Sequence, residues 1–258
     1  MSRSLKALPL KLALAALSVF TASCGSNQQA QVRFVHAIQD GAAMDIEITG
    51  PNQVTPTLAF THISFLGVQP NQPGYTAVPS GADTIEGFLT GTTNIGFNSA
   101  SLNLAGGQHY TLVGTGLLAN GQNATILPVP DNIPAPSPGF AAFRVINASP
   151  SGPNGTGDAV DVYILLNPAA GPRGNPTFSG VAYQQASGYV LLPYNPNNDT
   201  IPPGFTVYVT AAGTTTPTFI SEGISPANTG AAVRTLVLTD VENGNSMNST
   251  FLELSDLN

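Results

Sequence analysis

VRFVHAIQDGAAMDIEI, Val32 to Ile48, returns later in the chain as FRVINA, Phe143 to Ala148, followed by AVDVYI, Ala159 to Ile164. Successive side chains of an extended strand point to opposite faces. In VRFVHA this places Val32, Phe34 and His36 on one face and Arg33, Val35 and Ala37 on the other. In AMDIEI, Met44, Ile46 and Ile48 form the apolar face, and Asp45 and Glu47 look away from it. A period of two over short segments predicts half-buried strands rather than helix. The stretch reads as the first hairpin of a repeated sandwich domain.

His36, with Asp40 and Asp45 following within ten positions, has the composition of a proton relay. A relay needs its heavy atoms about 2.6–3.2 Å apart. Parity separates His36 from Asp45, and the second copy carries Asn147 where the first has His36. Both copies keep an arginine and an aspartate. Arg33 with Asp45, and Arg144 with Asp161, are therefore expected to form a cross-strand pair clasping the first two strands of each copy.

Further segments repeat in the same order. FLGV (Phe65–Val68) is matched with FSGV (Phe178–Val181), and GYTAVP (Gly74–Pro79) with GYVLLP (Gly188–Pro193). HYTLV (His109–Val113) is matched with VRTLV (Val233–Val237). Internal repetition of this extent predicts two copies of one unit. The expected fold is all-β, two tandem immunoglobulin-like antiparallel β-sandwich domains. Domain 1 spans 31–129 and domain 2 spans 140–258. Between them PDNIPAPSPG, 130–139, reads as a stiff proline-rich linker.

The start of the chain speaks to location. Arg3, Lys6 and Lys11 precede the uncharged run LALAALSVFTAS, the layout of a secretory signal over residues 1–23. TASC, ending at Cys24, resembles a bacterial lipobox, with Thr21 standing where that motif usually has leucine. Cys24 is the single cysteine of the chain. It is expected to carry the lipid, with residues 24–30 as the tether. Gly25 resembles the default sorting pattern for the outer membrane in a Gram-negative host. The expected location is the cell envelope.

Processing there would leave Arg33, Arg144, Arg173 and Arg234 against fourteen carboxylates, a formal charge of −10. Such a chain cannot neutralise phosphates, which argues against nucleic-acid binding. It has no basic patch to hold anionic headgroups either, so membrane attachment would rest on the lipid of Cys24.

The first opening and FRVINASPSGPNGTGDAVDVYI resemble the V-R-x-x-H-A-S-P-D-A-P-x-V-D-V signature. It opens domain-of-unknown-function family 4397, bacterial domains of exported and surface-attached proteins, often in tandem. The first copy has IQDG for S-P-D-A; the second inserts PNGTG and lacks the histidine. The resemblance implies the fold and the location, and imports no activity.

Searches for chemistry return little. G-x-S-x-G, H-E-x-x-H, C-x-x-C and the phosphate-loop motif are absent. His36, His62 and His109 lie in separate segments, and Asn154, Asp158 and Asp161 lack the ligand spacing of a calcium loop. No metal and no cofactor are expected. Tyr75, Tyr183, Tyr189, Tyr194 and Tyr208 read as packing residues first and sugar platforms second. The expected function is that of a non-catalytic, lipid-anchored structural spacer or display module. A surface module binding polysaccharide or an envelope protein is the alternative, and a hydrolase with an unrecognised site is the third class.

Overall fold

The computed structural model describes residues 28–119, 124–151, 157–166, 171–194, 204–224, 231–240 and 249–256. Cys24, the leader and Asn154 lie outside the described residues. The structure is all-β, and its elements recur. The first nine strands are β1 (Ala30–His36), β2 (Met44–Thr49), β3 (Thr57–Ile63), β4 (Val68–Gln69), β5 (Thr76–Val78), β6 (Gly81–Leu89), β7 (Ile95–Leu104), β8 (His109–Thr115) and β9 (Thr125–Pro130). The next nine are β10 (Phe140–Asn147), β11 (Val160–Leu166), β12 (Phe178–Val181), β13 (Gln185–Ala186), β14 (Val190–Pro193), β15 (Phe205–Ala211), β16 (Pro217–Ile224), β17 (Ala231–Asp240) and β18 (Ser249–Ser255).

Among the described residues the strands form four sheets, with orders β4-β1-β8-β9, β3-β2-β6-β7, β13-β10-β17-β18 and β12-β11-β15-β16. Shifting each strand number of the first two by nine gives the second two. β5 adds to β1 and β14 to β10. β1 runs parallel to β8, as β10 does to β17. Each half buries one core between its two sheets. In the first half Val32, Phe34, Ile46, Ile48, Ile85 and Leu112 meet there; in the second, Phe143, Val145, Val162, Val207 and Leu236 do so.

The expected first hairpin is not formed. β1 and β2 belong to opposite sheets of the first half, facing each other across its core. One sequence match is also corrected. Phe178 and Val181 correspond in position to Phe60 and Ile63 of FTHI, since Met44 pairs with Ile63 as Val160 pairs with Val181. Phe65 lies outside any strand and packs the edge of its ring on His36.

A third apolar cluster joins the halves. Val35, Ala37, Val113 and Val129 of the first pack against Ile146, Ala148, Val237 and Leu254 of the second. These side chains come from the faces that look away from each half's own core. Burying such a residue is worth roughly 1.5–3 kcal/mol as an upper bound, so this contact holds two sheets together strongly. The halves are co-aligned. Arg33 and Arg144, at the middle of β1 and β10, share one cluster, while Thr115 bonds the Ala148 carbonyl and Thr239 the Ala37 carbonyl at the far end of those strands. Ala30 and Phe140 mark the near end of the molecule, and His36 and Asn147 the far end.

Candidate functional site

Arg33 lies on the β1 face that parity assigns away from its own core, and that face meets the second half. Its side chain is fully buried. Nε donates to Thr111 Oγ1 at 2.8 Å within the same half, and Nη2 donates to Asp256 of the other half. Arg144 repeats the arrangement in reverse. Its Nε donates to Thr235 Oγ1 at 2.7 Å and its Nη2 to Asp131 of the first half. Each arginine thus binds its own threonine and the other half's aspartate.

Tyrosines complete the pattern. Tyr75 Oη donates to Asp131 at 2.7 Å, and Tyr189 Oη donates to Asp256 at 2.9 Å. The guanidinium carbon of Arg33 stands 5.2 Å from the Tyr75 ring centre, and that of Arg144 4.8 Å from the Tyr189 ring. Thr111 and Thr235 each donate a hydroxyl proton to the aspartate of their own half. Burial works against the Arg33 charge, but Asp256 and Asp131 together outweigh it and hold the guanidinium above its ordinary range. Burial, together with the neighbouring carboxylates, pushes the Tyr75 and Tyr189 hydroxyls well above the usual phenol range. Both phenols therefore stay protonated donors across physiological pH.

The cluster is closed and electrically balanced, and its carboxylates are committed to guanidinium, hydroxyl and phenol donors. It can lock two sheets; it offers no free base or nucleophile. Beside it, a cleft of about 430 Å3 opens next to Arg144 and Tyr189, with Asn132 and Ser187 on its walls. In the first half the β4–β5 connection is longer, and Gln72 Oε1 there accepts from the Ser255 amide.

The expected Arg33–Asp45 and Arg144–Asp161 clasps do not form. Parity correctly sends all four side chains away from the cores. Because β1 and β2 lie in opposite sheets, however, "away" points in opposite directions. Asp45 and Asp161 instead fasten loops on the outer sheets. Asp45 accepts from the amides of His62 and Gly91 and from the Thr90 hydroxyl. Asp161 accepts from the amides of Gly180 and Gly213, both at 2.7 Å. The four amide donors are equivalent in pairs, and all sit at positive φ, from 51° at His62 to 77° at Gly213. Both aspartates lie where the register shifts, between Met44 and Ile46 and between Val160 and Val162. Each carboxylate therefore holds a bulge on one side and a hairpin turn on the other. The amide of His62 is the leading cause of an Asp45 carboxyl held below its ordinary range. Asp161→Ala removes two hydrogen bonds to a carboxylate, one from the β12 bulge and one from the β15–β16 turn, and a loss of about 1–3 kcal/mol is expected in a urea melt. A midpoint equal to wild type would refute the loop-fastening role.

His36 and Asn147 share one task. His36 Nδ1 accepts from the Ile38 amide at 3.3 Å, and Asn147 Oδ1 accepts from the Ser149 amide at 3.2 Å. Both hold the chain as it leaves the strand, which is why one can replace the other. Asp40 accepts from the amides of Leu118 and Ala119. Among the described residues no three His, Cys, Asp or Glu side chains gather as metal ligands would.

Asp131 and Asp256 are the residues that sequence reading missed. A signal was present: each directly follows the last strand of its half, at nearly the same distance from Thr111 and Thr235.

Among solved structures, the chain is similar to the family CBM26 module of Eubacterium rectale Amy13K, crystallised with maltoheptaose (11% identity, 86% of this chain and 95% of that one, TM-score 0.25). It is likewise similar to a streptococcal virulence factor that binds alpha-glucan (11% identity, 85% and 97% covered, TM-score 0.26). The Bacillus anthracis TIE protein is a third such likeness, at 10% identity, 88% of this chain, 43% of that one and TM-score 0.23. Similarity of this degree carries no argument about fold or function. No curated protein matches the chain. Residues 30–155, which hold the first half and the opening of the second, match the family model of the domain of unknown function DUF4397.

Proposed function

We propose that this protein is a non-catalytic, lipid-anchored component of the cell envelope. Two immunoglobulin-like sandwiches in tandem act as a rigid spacer or display body. The observation that carries the reading is the exchanged Arg33–Asp256 and Arg144–Asp131 pairing around an apolar seam. A flexible linker would let tandem domains reorient, but buried charges that cross the seam in both directions fix one geometry. Spacing and display need such a body and no chemistry. Anchoring follows from TASC and Cys24. Two or more acyl chains hold a protein stably on a bilayer where a single one does not.

Metabolic labelling with a clickable palmitate, wild type against Cys24→Ser, tests the anchor. Label on the wild type and none on the variant is the expected outcome; an unlabelled wild type removes the anchoring reading. Retention of the soluble chain, residues 25 onward, on a glycan array would replace the spacer with a binding module.

A further inference from the structure

We infer that the near end of the molecule is a docking surface for the lipid bilayer, so that the protein stands on the membrane end-on. This rests on the lipidation of Cys24 proposed above and adds an orientation to it. Three observations converge. First, the tether is short. Only four residue steps separate Cys24 from Gln28, a reach of at most about 14 Å. Gln29 emerges at the near end, lining a cleft with Asn52, Gln53, Pro79 and Ser80. The seven residues of β1 then rise about 23 Å to the far end.

Second, charge is distributed unevenly along the strands. The near-end loops 50–56, 79–80, 105–108 and 132–139 contain no Asp, Glu, Lys or Arg, and the near-end connections of the second half carry one charge of each sign in sequence, the exposed Arg173 after β11 and Asp199 after β14. The near-end carboxylates among the described residues, Asp83, Asp131 and Asp256, are buried. At the far end Asp40 is exposed, and Asp45 and Asp158 are partly so. An acidic protein meets an anionic surface with least repulsion through the end that carries no net charge. The far-end carboxylates then stand beyond a Debye length of about 8–10 Å.

Third, apolar side chains protrude there. Val54, in the β2–β3 loop, is 99% exposed, and Phe140 at the start of β10 is 39% exposed. Leu191, half exposed, lies two residues from the end of β14. Proline-rich, uncharged loops tipped with Val and Phe suit the boundary between headgroups and acyl chains, where apolar groups bury to a depth of about 5–10 Å.

The chain contains no tryptophan, so one introduced indole reports alone. Lipidated full-length protein carrying Val54→Trp would be reconstituted into phosphatidylcholine–phosphatidylglycerol vesicles, with and without lipid brominated high on the acyl chain. Ile95→Trp, at an exposed far-end position, is the control. Quenching of at least about twofold is expected at position 54, with none at 95. Vesicle-bound protein unquenched at both sites overturns the docking surface and leaves the anchor standing. Quenching at both sites means the body lies on its side and overturns the end-on orientation. If the protein fails to float with vesicles and Cys24 takes no palmitate, the anchor falls and this inference with it.

Discussion

Arg144→Ala will cost about 3–5 kcal/mol of stability, the loss typical when one partner of a buried ion pair is deleted. Asp131 would keep its Thr111 and Tyr75 donors but lose the guanidinium that neutralises it; Arg33, at 3.7 Å, is already committed to Asp256. The charge left behind is fully enclosed, since the Asp131 side chain is 0% exposed. Urea melts of wild type and variant measure the loss. Glu253→Gln is the internal control. It removes a partner of Arg234 that is 40% exposed, a kind of pair worth about 0–1 kcal/mol. Equal, small effects of the two substitutions would mean that water reaches the seam, and the rigid-body reading would fail. Replacing Arg144 and Asp131 together by apolar residues of similar size is expected to restore most of the loss, because the desolvation of both charges is then removed.

At neutral pH, Asp83→Asn will stabilise the protein by about 1–3 kcal/mol, and this gain will vanish near pH 4. Asp83 is fully buried, and neither carboxylate oxygen has a hydrogen-bond partner. Burial pushes its carboxyl up to about 6 from the ordinary 3.8. A group raised in the folded state binds its proton more tightly there than in the unfolded chain. The penalty is thus absent below the unfolded value, grows as pH rises from about 4 to 6, and is complete above it. Asn removes the ionisation while keeping the shape. Thermal melts of both proteins at pH 4 and pH 7 test this. A stability difference independent of pH would sink the assignment.

The equivalent position in the second half explains why Asp83 is so exposed to this penalty. Asp45 pairs with Phe88 and Asp161 with Thr210, so Asp83 stands where the second half has Phe205. Phe205 packs against Phe143 at 4.9 Å, and Val32 occupies the position of Phe143 in the first half. Two aromatic rings are thus replaced by valine and a carboxylate. At the end of β2 the chain passes close to Pro79 through Gly50, where an added Cβ would come within 2.7 Å of Pro79 Cβ.

Much of the architecture could be read locally. Period-two alternation at Val32–Ala37 and Met44–Ile48 identified the strands and the core-facing side chains, since alternation depends only on the backbone of the strand itself. The repeated GYTAVP and HYTLV segments placed Tyr75 over Tyr189 and Thr111 over Thr235, and the structure gives each pair the same role. The substitution of Asn147 for His36 already marked that position as structural.

Sheet membership and partners were not legible. Parity tells which face of a strand meets its core, but not which sheet the strand joins. Arg33 and Asp45 therefore share an outward parity and yet point to opposite sides of one pair of sheets. Asp131 and Asp256 followed ordinary strand ends and carried no mark of burial. They became the charge partners of Arg144 and Arg33 only when two outward faces met across the seam. By itself, the sequence determined the strands, the repeat and the side chains that look away from each core. Only the tertiary structure decided what those side chains meet. A buried ion pair depends on desolvation and on distances of a few ångströms between segments up to 223 positions apart.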